Sequence, residues 1–433
     1  MPLPTTLHEI AGHSILELAK EFGTPVYVYD SAPIIRRISE LRAFDVIRYA
    51  QKACSNLAIL DLMRRHGVLV DAVSAGEVQR AIAVGYQPGF NLPPEIVYTA
   101  DIFDRDSLDV VLKHDIPVNC GSPDMIDQYG ERAPGRGITL RINPGFGHGH
   151  SQKTNTGGEQ SKHGIWHEQI GQCVRRAAKY NLSITGIHMH IGSGSDMQHL
   201  GQVCEALERI AIEVGPSVNS ISAGGGLPIS YQEDEPPADM GAYFKLWDAT
   251  RRRLAEQFRH PVSLEIEPGR YLVAESGYLL TEIRAVKKMG QNCFYLVDAG
   301  FNNLARPILY GAYHPMAICP APSEPSSLRP RPLQPVVVGG PLCESGDIFT
   351  QEEGGYVATR ELPEASVGDF LVIGYAGAYG YVMGSNYNSK PLAAEVLIEQ
   401  GKVNLVRKRQ TFEDLVSGEM VPGQYPLLAA QLN

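Results

Sequence analysis

The 433-residue chain lacks any apolar run of the length needed to cross a bilayer. Its opening stretch, Met1 to Ala11, has neither a basic patch nor an apolar segment, so no export leader is expected. Paired cysteines are missing too. The seven cysteines are scattered, odd in number and never spaced as Cys-x-x-Cys, which excludes a secreted disulfide framework and points to reduced thiols in the cytoplasm. There is no excess of basic charge. The net charge of −10, with both signs interspersed, argues against a general nucleic-acid surface. It does not exclude an anionic ligand, because local amides and arginines bind anions inside acidic proteins.

What is present is an alternation. Eight short apolar segments, Ile47–Ala53, Leu69–Ser74, Glu95–Ala100, Ile116–Cys120, Ile138–Asn143, Ile184–Gly192, Val218–Gly224 and Val262–Glu267, are interleaved with helical patterns. The helices are expected at Asn56–His66, Gly76–Val84, Asp106–Lys113, His167–Tyr180, His199–Val214 and Met240–Phe258, with Asp104 or Asp106 as a cap. Such a pattern predicts an α/β fold, a (β/α)8 TIM-type barrel. Lys52, Asp71, Asn119, Arg141, His190, the run Gly224-Gly225-Gly226 and Glu267 fall at or just past the segment ends, where this fold carries its active site.

The texture changes after Glu267. Strands are expected at Gly277–Val286, Phe294–Asp298, Val336–Gly339, Phe370–Ile373 and Glu395–Glu399, followed by a helix at Thr411–Gly418. This predicts a second, mostly β domain of sandwich or barrel-like type. The early segment, helix Ser14–Phe22, strand Pro25–Tyr29 and helix Ala32–Ala43, precedes the barrel, and its strand is free to join that β domain. The boundaries read as 36–275 for the barrel and 1–35 with 276–433 for the β domain. Proline-dense His314–Pro335 reads as a surface loop, and the polar stretch Pro144–Gly164 as a long loop of the kind that forms lids.

Several residues admit two readings. Lys52, inside Tyr49-Ala50-Gln51-Lys52-Ala53, is either a lysine snorkelling from a strand end or a Schiff-base amine that burial keeps neutral. Gly224-Gly225-Gly226 is a plain turn or, being placed after the seventh strand, a phosphate cradle. Glu267 pairs with Arg270 or with a protonated ring nitrogen. His188 and His190 project to one side, which suits a metal pair or a histidine laid against a planar cofactor. No matching set with metal-ligand spacing is evident, so no metal is expected. Cys343 is a small buried residue or a reactive thiol, and Arg306 lies in a surface turn or reads a carboxylate in a bidentate pair.

Lysine, phosphate loop, carboxylate and histidine on one barrel face are the outfit for pyridoxal 5'-phosphate. Together with His188-Met189-His190-Ile191-Gly192-Ser193, Glu267-Pro268-Gly269-Arg270, Cys343-Glu344-Ser345-Gly346-Asp347 and Gly377-Ala378-Tyr379-Gly380, these motifs make the chain resemble the alanine-racemase-like (fold type III) pyridoxal-phosphate decarboxylases over nearly its whole length. One departure is Ala53-Cys54-Ser55-Asn56, where many relatives have alanine-asparagine directly after the lysine. The resemblance implies that Lys52 holds the cofactor covalently, that His190 stacks on its ring and that Glu267 keeps the ring nitrogen protonated. Asp71, Ser193, Gly226, Gly269, Arg270 and Tyr379 would complete the cofactor contacts. Arg270, Arg306, Tyr310, Glu344 and Tyr379 would grip the substrate, and Cys343 would return a proton. It further implies a homodimer whose partner chain supplies Cys343 and Glu344. The implied reaction is removal of one carboxylate from meso-2,6-diaminopimelate to give L-lysine. Decarboxylation of a related basic amino acid or carboxylated polyamine, racemisation, and a non-catalytic regulatory role are the alternatives.

Overall fold

The computed structural model describes residues 3–147, 157–190, 197–321 and 331–422. The chain divides into two compact units, Ala32–Ala274 and Met1–Ser31 with Glu275–Asn433.

The first unit is a closed parallel barrel. Its strands are β1 (Val46–Ala50), β2 (Leu69–Ala72), β3 (Ile96–Ala100), β4 (Val118–Cys120), β5 (Gly137–Asn143), β6 (Ser183–Met189), β7 (Ser220–Ser222) and β8 (Ser263–Ile266). Each pairs in parallel with the next, and β8 returns to β1 through Glu265 and Ile266, so no edge is left open. The helices are α1 (Leu57–Arg65), α2 (Ala75–Ala83), α3 (Arg105–Lys113), α4 (Pro123–Arg132), α5 (Ile170–Lys179), α6 (Met197–Val214) and α7 (Met240–Phe258). Capping side chains set their starts. Asn56, Ser74, Asp104 and Asp239 accept backbone N–H bonds at the first turns of α1, α2, α3 and α7.

Helix α4 was not foreseen. Its charged residues and Gly130 weaken the apolar period, yet Pro123 is well suited to the first helical position. A methyl group on Gly130 would lie 2.5 Å from the Tyr180 ring, so the glycine lets the helix seat against that side chain.

The barrel interior is unusually polar. This fold normally fills its barrel with branched apolar layers. Here Arg48, Thr99, Asn119, Thr139, His188, Ser222, Glu265 and Glu267 sit on the barrel strands or at their ends. Most of them line a cavity of about 520 Å³. Arg48 is 1% exposed, lies 3.1 Å from Glu265 Oε2 and donates to the Pro94 carbonyl.

The second unit is a sheet in the order Arg360–Pro363, Leu333–Gly339, Asn292–Val297, Gly277–Met289, Val26–Asp30, Ala394–Glu399, Lys402–Arg407. Phe370–Ile373 pairs with Gly277–Met289 and with Met316–Cys319. Val26–Asp30 runs antiparallel to Gly277–Met289 and parallel to Ala394–Glu399, so the N-terminal strand does enter the β domain. Val26, Val28, Leu280, Ala317, Val372, Val396 and Ile398 form its core.

The expected surface loop His314–Pro335 is partly wrong. Met316–Cys319 is a fully buried strand, and Leu333–Gly339 begins inside the same stretch. Pro315 and Pro320 flank Met316–Cys319 and Pro332 precedes Leu333–Gly339, while Pro335 lies inside that strand opposite Glu361. The ladder with Asn292–Val297 begins at Val336, one residue after Pro335. Residues 322–330 of that stretch lie outside the described residues. Strands Arg360–Pro363 and Lys402–Arg407 were also missed, the second because its exposed pattern carries little apolar signal. Among the described residues, no helix is long and apolar enough to cross a membrane.

Candidate active site

Strand β1 ends where Ala50 pairs with Asp71, and the chain then makes one 3-10 turn, Gln51–Ala53. The turn is held by Gln51, whose buried amide donates to the carbonyls of Asp71 and Glu77. Lys52 rides on this turn and is exposed. The expectation of a lysine buried inside a strand is therefore corrected. The helical turn takes its side chain out of the strand's alternation and into the open. The charge of Lys52 reaches Asp71, Glu77 and His190.

Asp71 is buried, and its Oδ1 has no hydrogen-bond partner. Burial, then the nearby Glu267 charge, raises its carboxyl well above the ordinary range, against a lowering hydrogen bond from Thr99 and the charge of Lys52.

Across the mouth, Gly224, Gly225 and Gly226 follow β7. Gly224 and Gly226 have φ of 63° and 86°. A methyl group on Gly225 would lie 2.5 Å from the Glu267 carbonyl oxygen and 2.9 Å from His190 Cε1. The Gly225 N–H donates to His190 Nδ1 at 3.1 Å, which orients the half-buried imidazole. Burial first, then the positive charges of Arg141 and Lys52, holds His190 well below the usual histidine range, so the ring is neutral.

Glu267 closes β8 and is buried. Burial would raise its carboxyl, but His188, Arg48 and Arg141 outweigh that effect and hold it well below the usual range. Its Oε2 lies 3.0 Å from His188 Nε2, and its Oε1 accepts from Ser222 Oγ at 3.2 Å. His188, His190 and Glu267 place ligand atoms within 4.8 Å of one another, a triplet that the separation of Glu267 in sequence concealed. His190 Nδ1 already accepts from Gly225 and His188 Nε2 faces Glu267, so neither contact needs an ion.

Gly269 sits so close to β1 that a methyl group there would meet Ala50 and Ala53 at 3.2–3.3 Å. It precedes the short helix Arg270–Val273. Ser193 lies outside the described residues, as do residues 148–156 of the expected lid. The described ends of that loop are tied down. Asn143 accepts from the Gly145 and Gly158 N–H groups and donates to the Gly158 and His163 carbonyls. Asp101 Oδ2 lies 2.6 Å from His163 Nδ1.

Within the β unit, Arg306 begins a short helix and is buried, which rules out the surface-turn reading. Its Nη1 lies 3.0 Å from Nε2 of the buried His314, whose Nδ1 is 3.0 Å from the Gly374 carbonyl. Sequence reasoning missed His314; its spacing of eight from Arg306 carries no local signal. Tyr310 is half-buried. Cys343 is exposed, against the buried-residue reading, and its N–H donates to Asn388 Oδ1. Glu344 is exposed and accepts from Tyr387 Oη at 3.5 Å. Buried Asp347 braces this turn by accepting from Leu342 and Phe301. Tyr379 has φ of 57°, in the left-handed region.

The barrel residues fit pyridoxal phosphate. An exposed amine at Lys52 suits an aldehyde, ionised Glu267 suits a protonated ring nitrogen, and the glycine turn is a cradle that a side chain would fill. The unpartnered Asp71 Oδ1 marks a buried polar atom at the same mouth. Residues 32–274 match the model of the pyridoxal-dependent decarboxylase family, pyridoxal binding domain. The chain is 53% identical over 413 residues to diaminopimelate decarboxylase of Escherichia coli K12, covering 95% of this chain and 98% of that protein. It is similar to a crystal structure of diaminopimelate decarboxylase, with TM-score 0.89, 53% identity and coverage of 93% and 95% of the two chains. Diaminopimelate decarboxylase from Helicobacter pylori complexed with L-lysine is also similar, with TM-score 0.82, 31% identity and coverage of 93% and 98%.

Proposed function

Because the chain belongs to the pyridoxal-dependent decarboxylase family, we propose that it converts meso-2,6-diaminopimelate to L-lysine and carbon dioxide, the last step of lysine biosynthesis. The observation that carries the chemistry is the barrel mouth, where the Lys52 turn, neutral His190, ionised Glu267 and the glycine turn belong to one unit. The substrate follows from likeness along nearly the full length to enzymes of that name.

Pyridoxal phosphate, when bound, would supply the electron sink that decarboxylation needs. The protein's residues do the rest. Lys52 anchors the cofactor through its amine. Asp71, Ser193, Gly226, Gly269, Arg270 and Tyr379 hold the cofactor in place. His190 would lie against the ring. Glu267, held ionised, would accept a hydrogen bond from the ring nitrogen and keep it protonated. Arg270, Arg306, Tyr310, Glu344 and Tyr379 bind the far amino-acid end of the substrate, and the Cys343 thiol returns the proton. Cys343 and Glu344 act in the site of a partner copy, so the working unit is a homodimer in the cytoplasm. Their exposure is consistent with that assignment.

Lysine and ornithine have a distal ammonium but no distal carboxylate, so the ion pair between that carboxylate and an arginine is not made. By analogy with breaking a buried ion pair, that costs about 3–5 kcal/mol, a rate factor of roughly a hundred or more. A panel of meso-diaminopimelate, lysine, ornithine and a carboxylated polyamine, read by product chromatography, tests the assignment. Comparable turnover of lysine or ornithine sinks it, and racemised substrate without carbon dioxide would make the protein a racemase.

A further inference from the structure

The polar column inside the barrel goes beyond the residues that meet the cofactor. Below Glu267 stands His188, 1% exposed, with Nε2 3.0 Å from Glu267 Oε2. Below His188 stands Asn119, 2% exposed, whose Nδ2 lies 2.9 Å from His188 Nδ1 and 3.3 Å from Thr99 Oγ1. Four different strands or strand ends thus contribute to one line, with Ser222 from a fifth donating to the other Glu267 oxygen at 3.2 Å.

We infer that His188 is a positioning residue for Glu267, and that Asn119 fixes which ring nitrogen of His188 carries the proton. An amide N–H donated to Nδ1 makes Nδ1 the acceptor. Nε2 then bears the hydrogen, on the nitrogen that lies 3.0 Å from Glu267 Oε2. With Ser222 donating to one oxygen and His188 Nε2 3.0 Å from the other, the carboxylate stays ionised despite burial and keeps lone pairs for a ring N–H. Partners of this kind, one step behind a reactive group, set its orientation and basicity. His188 touches neither substrate nor ring in this scheme; it acts only through Glu267. The inference rests on the reading that Glu267 serves the cofactor's ring nitrogen.

The test compares His188→Leu, which has no N–H, with His188→Gln, which keeps a side-chain N–H donor, and with Asn119→Leu. All are studied as protein loaded with pyridoxal phosphate. Three quantities are read: kcat and KM for meso-diaminopimelate, cofactor retained on dialysis by visible absorbance, and melting temperature. His188→Leu is expected to lower kcat about 10–100-fold while KM stays within about threefold, and to lose cofactor faster than the parent. His188→Gln is expected to recover most of both losses. The inference is overturned if His188→Leu keeps the parent's kcat and retention, or if the Gln and Leu variants fall equally while melting like the parent. Should His188→Leu not fold, Asn119→Leu decides: faster cofactor loss than the parent supports the column, and parental retention overturns it. Should the unmodified protein decarboxylate no diamino acid, the substrate reading fails on its own, and the retention comparison still decides the role of His188.

Discussion

Two buried carboxylates share the barrel mouth and are pushed in opposite directions. Asp71 has a hydrogen bond from Thr99, but burial and the charge of Glu267 prevail, and it favours the protonated form. Glu267 is just as buried, but His188, Arg48 and Arg141 keep it charged. The signs for stability follow. A carboxyl raised by folding holds its proton more tightly in the native state, so its contribution shrinks as pH rises from the ordinary carboxylate range through the folded value. Asp71→Asn should therefore raise the melting temperature of cofactor-free protein, by a margin that widens from mildly acid to alkaline buffer. A constant margin across that range contradicts the assignment. Glu267 behaves oppositely. Its stabilisation is present above the ordinary carboxylate range and is lost as pH falls through the depressed folded value. Glu267→Gln should flatten that acid limb of the melting profile. It should also cut decarboxylation roughly a hundredfold or more, as removal of a preorganised electrostatic partner does. Near-parental activity in this variant would mean that Glu267 does not serve the ring.

At the level of elements, the glycine turn after β7 joins three parts of the mouth, because Gly225 touches both the Glu267 backbone and the His190 ring. Gly225→Ala forces those groups apart. The expected cost is about 1–3 kcal/mol, read as a lower melting temperature together with weaker cofactor retention. Unchanged melting and retention would show that the turn has room to give. This turn was legible in the sequence because glycine runs and strand ends are local signals. The eight barrel strands were legible for the same reason, as was the N-terminal strand of the β unit. Other features depended on partners far along the chain. The register placed His188 beside His190, but that Glu267 meets His188 across the barrel emerges only when the sheet closes. Helix α4 hid behind its weak apolar period, and Met316–Cys319 behind its flanking prolines. Lys52 was placed at the correct strand end but given the wrong local conformation, since one 3-10 turn decides whether it is buried.

For the whole molecule, the question is how many chains make a working enzyme. The Cys343–Glu344 turn is exposed yet well braced by Asp347 and Asn388, an arrangement suited to presenting side chains to another copy. Sedimentation should find a dimer. Two inactive variants, Lys52→Ala and Cys343→Ala, should regain activity when mixed and allowed to exchange subunits, because some mixed dimers hold one intact site. Mixtures as inactive as the separate variants would place Lys52 and Cys343 of one chain in the same site. The claim beneath all of this is that Lys52 carries the cofactor. It is tested most directly by borohydride reduction of the loaded protein followed by peptide mass mapping. The prediction is a single phosphopyridoxyl group on the peptide containing Lys52; a group on another lysine, or none, would contradict it.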